Sequence, residues 1–378
     1  MTHGHDTPDY TDLFCDVLTA YRRDLERTED VVSFGTHDDR WIQVALRVER
    51  AVTAAWPRRA DATSSPRLPP VLRGKPLLAL AERIEAAGAL TLAFSILAYA
   101  RQAWDKDDPA SAAEAIRRQG RICRTIGAPD MADQYYVFLY AYATRHHLHE
   151  SRGAAFIGRG VLRCVGGELL AGARWFAKAR AASRHHPVIV AGSYYGEMAV
   201  ALANQDHSAA LIAGTRALRS GGLSDHDAAG VLSNLAGIAQ RAGRPKTALH
   251  LLRQAMRRTK HPRLRTHFFA KAALAAARMG RVALVERFGA RLIGEAVHFN
   301  LPADELEARS ELAQAFDIIG QRAKAARIAR SVRAEAETRG LAIIVARCDA
   351  ILAGEEHTPA PITLGAPARR AIAVLETV

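Results

Sequence analysis

One pattern of small residues recurs along most of this chain and limits the folds that it can adopt. Around Gly243, alanines lie seven residues before the glycine and five and twelve residues after it. The same frame returns with reference positions 88, 127, 167, 205, 243, 280 and 320, which are 37 to 40 residues apart. Each interval has room for two helices of about 12 to 17 residues and two short turns. The sequence therefore predicts seven helix pairs stacked in register.

The segment from Gly243 to Thr247 raises the alternative of a phosphate-binding loop, because a glycine there precedes Lys246 and Thr247. Pro245 lacks a backbone N–H that such a loop would use, and no second glycine stands where the motif requires one. We therefore expect Gly243 to end one helix in the left-handed conformation and Pro245 to open the next.

The small residues have a mechanical reason in a stack of helix pairs. Alanine or glycine at a helix crossing allows the two backbones to approach closely, while larger apolar side chains fill the space between successive pairs. A single pair cannot bury its apolar faces, whereas stacked pairs share a continuous core. The side chains predicted to fill this core include Leu80, Leu97, Phe176, Leu235, Leu252 and Leu312.

The run Leu235-Ala236, Gly243, Ala248 and Ala255 resembles the tetratricopeptide repeat family over about residues 75 to 340. This resemblance implies an all-α, right-handed α-solenoid of about seven helix pairs, with a concave surface lined by the first helices. The period exceeds the family's common repeat length of about 34 residues, and most aromatic and proline signature positions are missing. In its longer period the chain is similar to a bacterial subset of this family. Its architecture resembles that of the Rap-type peptide-responsive regulators.

Composition changes along the chain indicate the domain boundaries. The region before the repeats is typical of two helices followed by a proline-rich stretch, and a polar, proline-containing stretch follows the last apolar helix. The predicted domains are an N-terminal helical segment at 1–56, a Pro-rich linker at 57–74, the repeat region with a C-terminal capping helix at 75–356, and a flexible C-terminal tail at 357–378.

Composition and motifs also restrict the class of protein. The chain is 49% hydrophobic but only 6% aromatic, as expected of a helical protein rich in alanine and leucine. Four cysteines without a C-x-x-C motif, and no apolar run long enough to span a membrane, predict a cytoplasmic protein with reduced thiols. No catalytic or dinucleotide motif is recognisable, so we predict no enzymatic activity and no cofactor.

A histidine cluster is the one metal-like feature of the sequence. His146, His147 and His149 lie close together in sequence at a predicted helix end. Adjacent histidines on a helix point apart, and tetrahedral metal sites usually draw ligands from separate elements. We therefore predict no metal site.

Charge is distributed unevenly between the two parts of the chain. Before position 75 there are 10 Lys and Arg against 12 Asp and Glu, whereas the remainder of the chain carries 42 against 27. A strongly basic repeat region attracts acidic peptides, phosphate groups or polyanions.

Placing these charges on the repeat frame gives candidate ligand-binding residues. In the tetratricopeptide repeat family, which this chain resembles, the exposed flank of each first helix lines the ligand groove. Four arginines crowd this flank in the second repeat and would repel one another, which indicates an acidic partner. The sign reverses in the seventh repeat, at Glu307, Glu311 and Asp317. The predicted binding residues are Arg117, Arg118, Arg121, Arg124, Tyr195, Asn234, Gln240, Arg241, His267, Lys271 and Arg278.

The sequence thus favours a non-enzymatic scaffold or adaptor that binds a protein or peptide segment in a basic groove. Two alternatives remain open: a Rap-like regulator that senses a peptide, and a helical solenoid that binds nucleic acid. Under the favoured hypothesis Arg121 has no structural partner, and Arg121→Ala should weaken partner binding about ten- to a hundredfold while leaving stability nearly unchanged.

Overall fold

The computed structural model describes residues 75–86, 89–104, 108–259, 261–298, 302–355 and 362–375. The predicted N-terminal segment 1–56 and linker 57–74 lie outside these residues. All regular structure in the described ranges is α-helical, and none of these helices is both long and apolar enough to cross a membrane.

The described helices follow one another with short turns. They are α1 (Lys75–Ala86), α2 (Leu90–Trp104), α3 (Pro109–Thr125), α4 (Pro129–Arg145), α5 (His149–Val165), α6 (Leu169–Ala182), α7 (Pro187–Ala203), α8 (His207–Arg219), α9 (Asp225–Arg241), α10 (Pro245–Arg258), α11 (Pro262–Arg278), α12 (Val282–His298), α13 (Pro302–Ile318), α14 (Arg322–Thr338), α15 (Ala342–Ala353) and α16 (Ala366–Leu375).

The turns inside the helix pairs stand where the repeat frame predicts them. Five of the reference positions are glycines with φ between 65° and 83°, and a sixth, Gln205, adopts φ 60° despite its side chain. Position 88 lies outside the described residues. Gly243 has φ 70°, and Pro245 is the first residue of α10. The predicted turn between two helices at this segment is therefore confirmed.

The described helices fall into two compact units, separated between Arg184 and His185. In the first unit, α1 to α6 form three pairs, and the first helices α3 and α5 contact each other. In the second unit, α7 to α14 form four pairs, and α9, α11, α13 and α15 contact one another in succession. Each unit has its own apolar core, and the six side chains predicted to fill the core are at most 1% exposed.

Close helix approach depends on the small residues, as expected. A Cβ atom added to Gly160 of α5 would lie 2.7 Å from Cε1 of Phe176, which packs from α6. Real Cβ atoms essentially never approach a carbon so closely, so only glycine fits at this crossing. The frame of small residues thus marks the helix crossings within the stack.

The C-terminal region differs from the flexible tail predicted for 357–378. Helix α16 packs against α8, with Ala368, Ile372 and Leu375 buried. The backbone N–H of Ile362 donates to the carbonyl of Arg241 at 3.1 Å. The tail prediction therefore needs correction for residues 362–375. Apolar residues spaced three or four apart form a stripe, and that stripe covers a face of α8, a helix from the middle of the chain.

Candidate functional site

The arginine cluster on α3 is an ion-pair network. Arg117 donates two hydrogen bonds to Glu114, with Nε–Oε2 2.6 Å and Nη2–Oε1 2.7 Å. Arg118 donates to Glu114 on the same helix at 2.7 Å, to Glu82 on α1 at 3.2 Å and to the carbonyl of Leu78 at 3.1 Å. The network therefore joins α3 to α1 through Arg118.

Arg121 extends the same network, because its Nη2 lies 2.6 Å from Oε2 of Glu85 on α1. Arg124 is half-buried, and no ion pair forms with it among the described residues. The expectation that this cluster lacks structural partners is therefore wrong for Arg117, Arg118 and Arg121. Since Arg121 holds α1 through an ion pair, its replacement is now expected to affect stability as well.

The carboxylate of Glu114 is strongly stabilised in its charged form. Burial alone would raise its pKa, but hydrogen bonds and charges from Arg117 and Arg118 outweigh burial and lower the pKa to about 2. Glu114 thus contacts two of the four arginines that the sequence places on this helix face and offsets one of their four positive charges.

In the second unit, the predicted residues lie where first helices meet. Nζ of Lys271 on α11 donates to Oγ of Ser233 on α9 at 3.1 Å. The side-chain amide of Gln240 donates to the carbonyl of Lys271 at 2.8 Å, and Arg278 donates to the carbonyl of Gln240 at 3.0 Å. These hydrogen bonds are half-buried and link α9 to α11.

Further polar contacts link α11, α13 and α15, and there acidic side chains, Glu307 and Glu311, face the basic ones. Arg347 on α15 donates to Oγ of Ser310 at 2.8 Å and lies 3.9 Å from Oε1 of Glu311. Nδ1 of His267 lies 3.9 Å from Oε2 of Glu307. We define the first-helix seam by its polar residues, which are Ser233, Gln240, Lys271, Arg278, Glu311 and Arg347.

Glu311 is the least satisfied charged group of this seam. Its side chain is 13% exposed, and Oε2 is buried without a hydrogen-bond donor among the described residues. Burial raises the pKa of Glu311, although Lys271 and Arg347 act to lower it. A half-compensated buried carboxylate is the kind of group that marks functional surfaces.

The remaining predicted residues have mixed roles. Asn234 is half-buried on α9. Arg241 uses its carbonyl to hold Ile362, and its Nε is buried without an acceptor in the described structure. Tyr195 packs against the core of the second unit, and burial raises its pKa. The eleven predicted residues are therefore divided between the two units, with the four arginines in the first and the other seven in the second.

The histidine cluster lies at the turn between α4 and α5. The ring of His146 packs 4.4 Å from that of Tyr142, His147 adopts φ 57°, and the carbonyl of His149 accepts a hydrogen bond from Ser183 at 3.0 Å. Across the described ranges, no group of three or more His, Cys, Asp or Glu side chains is arranged to hold a metal ion.

Sequence reasoning missed the serines and the last arginine of the seam region. Ser233 and Ser310 each stand ten residues before a predicted turn, at positions 243 and 320. The repeat frame therefore contained a signal for both serines. Arg347 stands in the helix after the seventh pair, to which the frame was not extended.

Comparisons with known proteins give structural likenesses only. No protein-family model matches the sequence, and a search of curated proteins gives no match. One similar solved chain comes from the crystal structure of the APC/C hetero-tetramer Cut9-Hcn1, with 12% identity, TM-score 0.41, and coverage of 84% of this chain and 52% of that chain. Another is the P58(IPK) TPR domain, with 16% identity, TM-score 0.23, and coverage of 80% and 96%.

This chain thus spans about half the length of the first of these two structures. Both TM-scores lie below 0.5, so the description of the fold rests on the helix contacts of the chain itself. Paired helices of 12 to 17 residues, left-handed turns at the frame positions and contacts between successive first helices are all present. The described chain is an all-α protein built from successive helix pairs whose turns lie at the repeat positions.

Proposed function

We propose that this protein is a non-enzymatic interaction protein that binds an extended segment of a partner protein along the first-helix seam. The observation that carries the proposal is Glu311, a buried carboxylate with one oxygen that lacks a donor in the described structure. Leaving a buried acceptor unsatisfied costs about 1 to 3 kcal/mol, so a donor supplied by a partner would be strongly favoured.

The spacing of the seam suits an extended chain. Packed helices lie about 8 to 10 Å apart, and an extended peptide advances about 3.3 Å per residue, so each first helix meets every second or third residue. A backbone N–H of such a segment would satisfy Glu311. Acidic side chains of the same segment would pair with Lys271 and Arg347, which favours a partner with acidic character.

The alternatives receive less support. Nucleic-acid binding would need arginines free to contact phosphates, whereas Arg117, Arg118 and Arg121 already contact carboxylates. A Rap-like regulator would act through the N-terminal helices, which lie outside the described residues. For the location we propose the cytoplasm, which agrees with the unpaired thiols of Cys123, Cys164 and Cys348.

The location of the binding surface can be tested by site-specific photo-crosslinking. A benzophenone amino acid at Asn234, beside the seam, should capture one defined partner segment in the native lysate. The same group at exposed Arg330 of α14 is the control and should not capture that segment. Equal capture at both positions would contradict binding along the first helices.

The substitution Glu311→Gln tests whether the unsatisfied carboxylate of Glu311 contributes to binding. The captured segment, made as a synthetic peptide, is the ligand in this test. The change preserves the shape of the side chain, but it removes the negative charge and replaces one acceptor oxygen with an NH2 group that donates. The affinity for the peptide should therefore fall about tenfold. Glu337→Gln, at an exposed acid of α14, should leave the dissociation constant unchanged. An unchanged constant for Glu311→Gln would remove the basis for the proposal.

A separate prediction concerns the pH dependence of stability. Because the folded-state pKa of Glu311 is raised, this group contributes favourably below its unfolded-state pKa of about 4.3, and that contribution is lost as pH rises through the folded value. Glu311→Gln removes this titration. Its melting temperature should therefore exceed that of the wild type at pH 7, and the difference should shrink as pH falls to about 4. A lower melting temperature at pH 7 would mean that Glu311 is a net stabilising charge.

A further inference from the structure

Helix α4 carries an unusual concentration of aromatic residues. Five of its seventeen residues are tyrosine or phenylalanine. Tyr136 and Tyr142 are buried, whereas Val137, Phe138 and Tyr140 are 47%, 43% and 40% exposed. Large apolar side chains grouped on one solvent-facing surface of a helix indicate an interaction site more often than a structural need.

Aromatic rings continue from α4 across the neighbouring helices of the same unit. The ring of Tyr140 lies 5.2 Å from that of Phe156 on α5, and Phe156 lies 5.6 Å from Trp175 on α6. These ring distances are typical of favourable aromatic pairs. The ring contacts thus connect exposed Tyr140 of α4 to Trp175 of α6 through the buried ring of Phe156.

Two cations are held over these rings. The guanidinium of Arg101 on α2 lies 5.5 Å from the ring centre of Phe138. Nζ of Lys178 on α6 lies 5.0 Å from the ring of Phe156 and 4.8 Å from that of Trp175. Such distances allow cation–π attraction. We call this surface the aromatic patch; its members are Arg101, Val137, Phe138, Tyr140, Trp175 and Lys178.

The charges of the patch differ from those of the α3 cluster. Arg159 also stacks on Trp175 at 4.5 Å, but it is neutralised by Asp133 at 2.8 Å. Within the described part of the chain, Arg101 and Lys178 form no ion pair with a carboxylate. The patch therefore presents exposed apolar surface beside two positive charges that no described carboxylate neutralises.

We propose that the aromatic patch binds an acidic amphipathic helix of a partner protein. Apolar side chains of that helix, spaced three and four residues apart, would pack on Val137, Phe138 and Tyr140. Its flanking Asp or Glu residues would pair with Arg101 and Lys178. Exposed aromatic residues with adjacent cations provide the side-chain types that dominate binding energy at protein interfaces. This surface lies on other helices, in the other unit, and is independent of the first-helix seam.

Nucleic acid fits the patch less well than a protein helix does. Bases bind such surfaces by stacking on the faces of aromatic rings. Here Arg101 lies over Phe138, Arg159 and Lys178 lie over Trp175, and Tyr140 leans on Phe156. Each of these contacts occupies part of a ring with a group of the protein itself, which reduces the ring surface on which a base could stack.

The proposal can be tested with defined probes and the full-length protein. The probes are a fluorescent amphipathic helix with a leucine stripe and glutamate flanks, the same helix with lysine flanks, a scrambled acidic peptide of identical composition, and oligo(dT). Fluorescence anisotropy should show binding only of the amphipathic helix with glutamate flanks. Phe138→Ala should weaken this binding about tenfold, and Ile293→Ala, which shortens an equally exposed side chain on α12, should not.

A charge reversal sharpens the test. Lys178→Glu should weaken binding of the glutamate helix about tenfold and improve binding of the lysine helix, while Arg330→Glu on α14 should do neither. Equal binding of the scrambled peptide, or tighter binding of oligo(dT) that Phe138→Ala abolishes, would overturn the proposal. Self-association that Phe138→Ala abolishes would identify a second copy as the occupant and would also overturn it. Circular dichroism should confirm that every variant retains its helix content.

Discussion

Replacing Gly158 with alanine should lower the free energy of unfolding by about 2 to 4 kcal/mol. An added Cβ atom would stand 2.6 Å from Cζ of Tyr136 and closer still to two other atoms of the ring. The ring cannot move aside, because a Cβ at Gly120 on the neighbouring first helix would lie only 2.9 Å from its Cε1. Tyr136 is 2% exposed and is thus enclosed between α3 and α5.

Gly237→Ala is the matched control for this prediction. Gly237 also lies inside a first helix, α9, but nothing stands within 4 Å of an added Cβ. Since alanine favours helix over glycine by about 1 kcal/mol, this variant should be slightly more stable than the wild type. Urea unfolding followed by far-UV circular dichroism would measure both changes. Equal stability of the Gly158 and Gly237 variants would show that the contact between α4 and the first helices is not tight.

The repeat frame predicted the helix pairs because its signals are local. A left-handed turn needs glycine or a tolerated substitute at one position, and a helix crossing needs a small residue at another. The docking of α16 on α8 could not be predicted in this way. Its apolar stripe is visible in the sequence, but the surface that it covers belongs to a helix far away in the chain.

The candidate site shows the same division between local and distant information. The positions of Arg118 and Arg121 on a first helix were predictable, whereas their pairing with Glu82 and Glu85 depends on how α1 packs against α3. A signal for the pairs exists in the frame. Arg118 and Arg121 stand nine and six residues before turn 127, and their partners stand six and three residues before position 88. Comparing charges between successive repeats, rather than within one helix, would have found them.

The aromatic patch was missed for a different reason. The chain as a whole is poor in aromatic residues, and that average hides the five on α4. Their helical spacing alone is equally consistent with a core helix. Only the packing separates buried Tyr136 and Tyr142 from exposed Phe138 and Tyr140.

Glu114→Gln should reduce the free energy of unfolding by about 2 kcal/mol at pH 7. A pKa lowered from 4.5 to about 2 corresponds to about 3 kcal/mol, and the partial exposure of Glu114 and Arg117, 30% and 35%, reduces the expected loss. Because the folded-state pKa is lowered, the stabilisation is present above the unfolded-state value and is lost as pH falls towards 2. The wild type should therefore lose its advantage over the variant between about pH 4.5 and 2.

This change also distinguishes a structural role of the arginines from a role in binding. If the network holds α1 and α3 together, Glu114→Gln lowers stability, because Arg117 and Arg118 lose the carboxylate that they share, while Arg118 keeps its ion pair with Glu82. If the arginines instead bind an acidic partner, removing the carboxylate of Glu114 makes them available to it. The affinity for that partner should then rise, and the free energy of unfolding should hardly change. Unfolding curves at pH 7 and pH 3 provide the measurement. Glu168→Gln is the control: its ion pair with Arg163 is largely exposed, so the free energy of unfolding should hardly change at either pH value. Equal curves for the two variants at pH 7 would exclude the structural role.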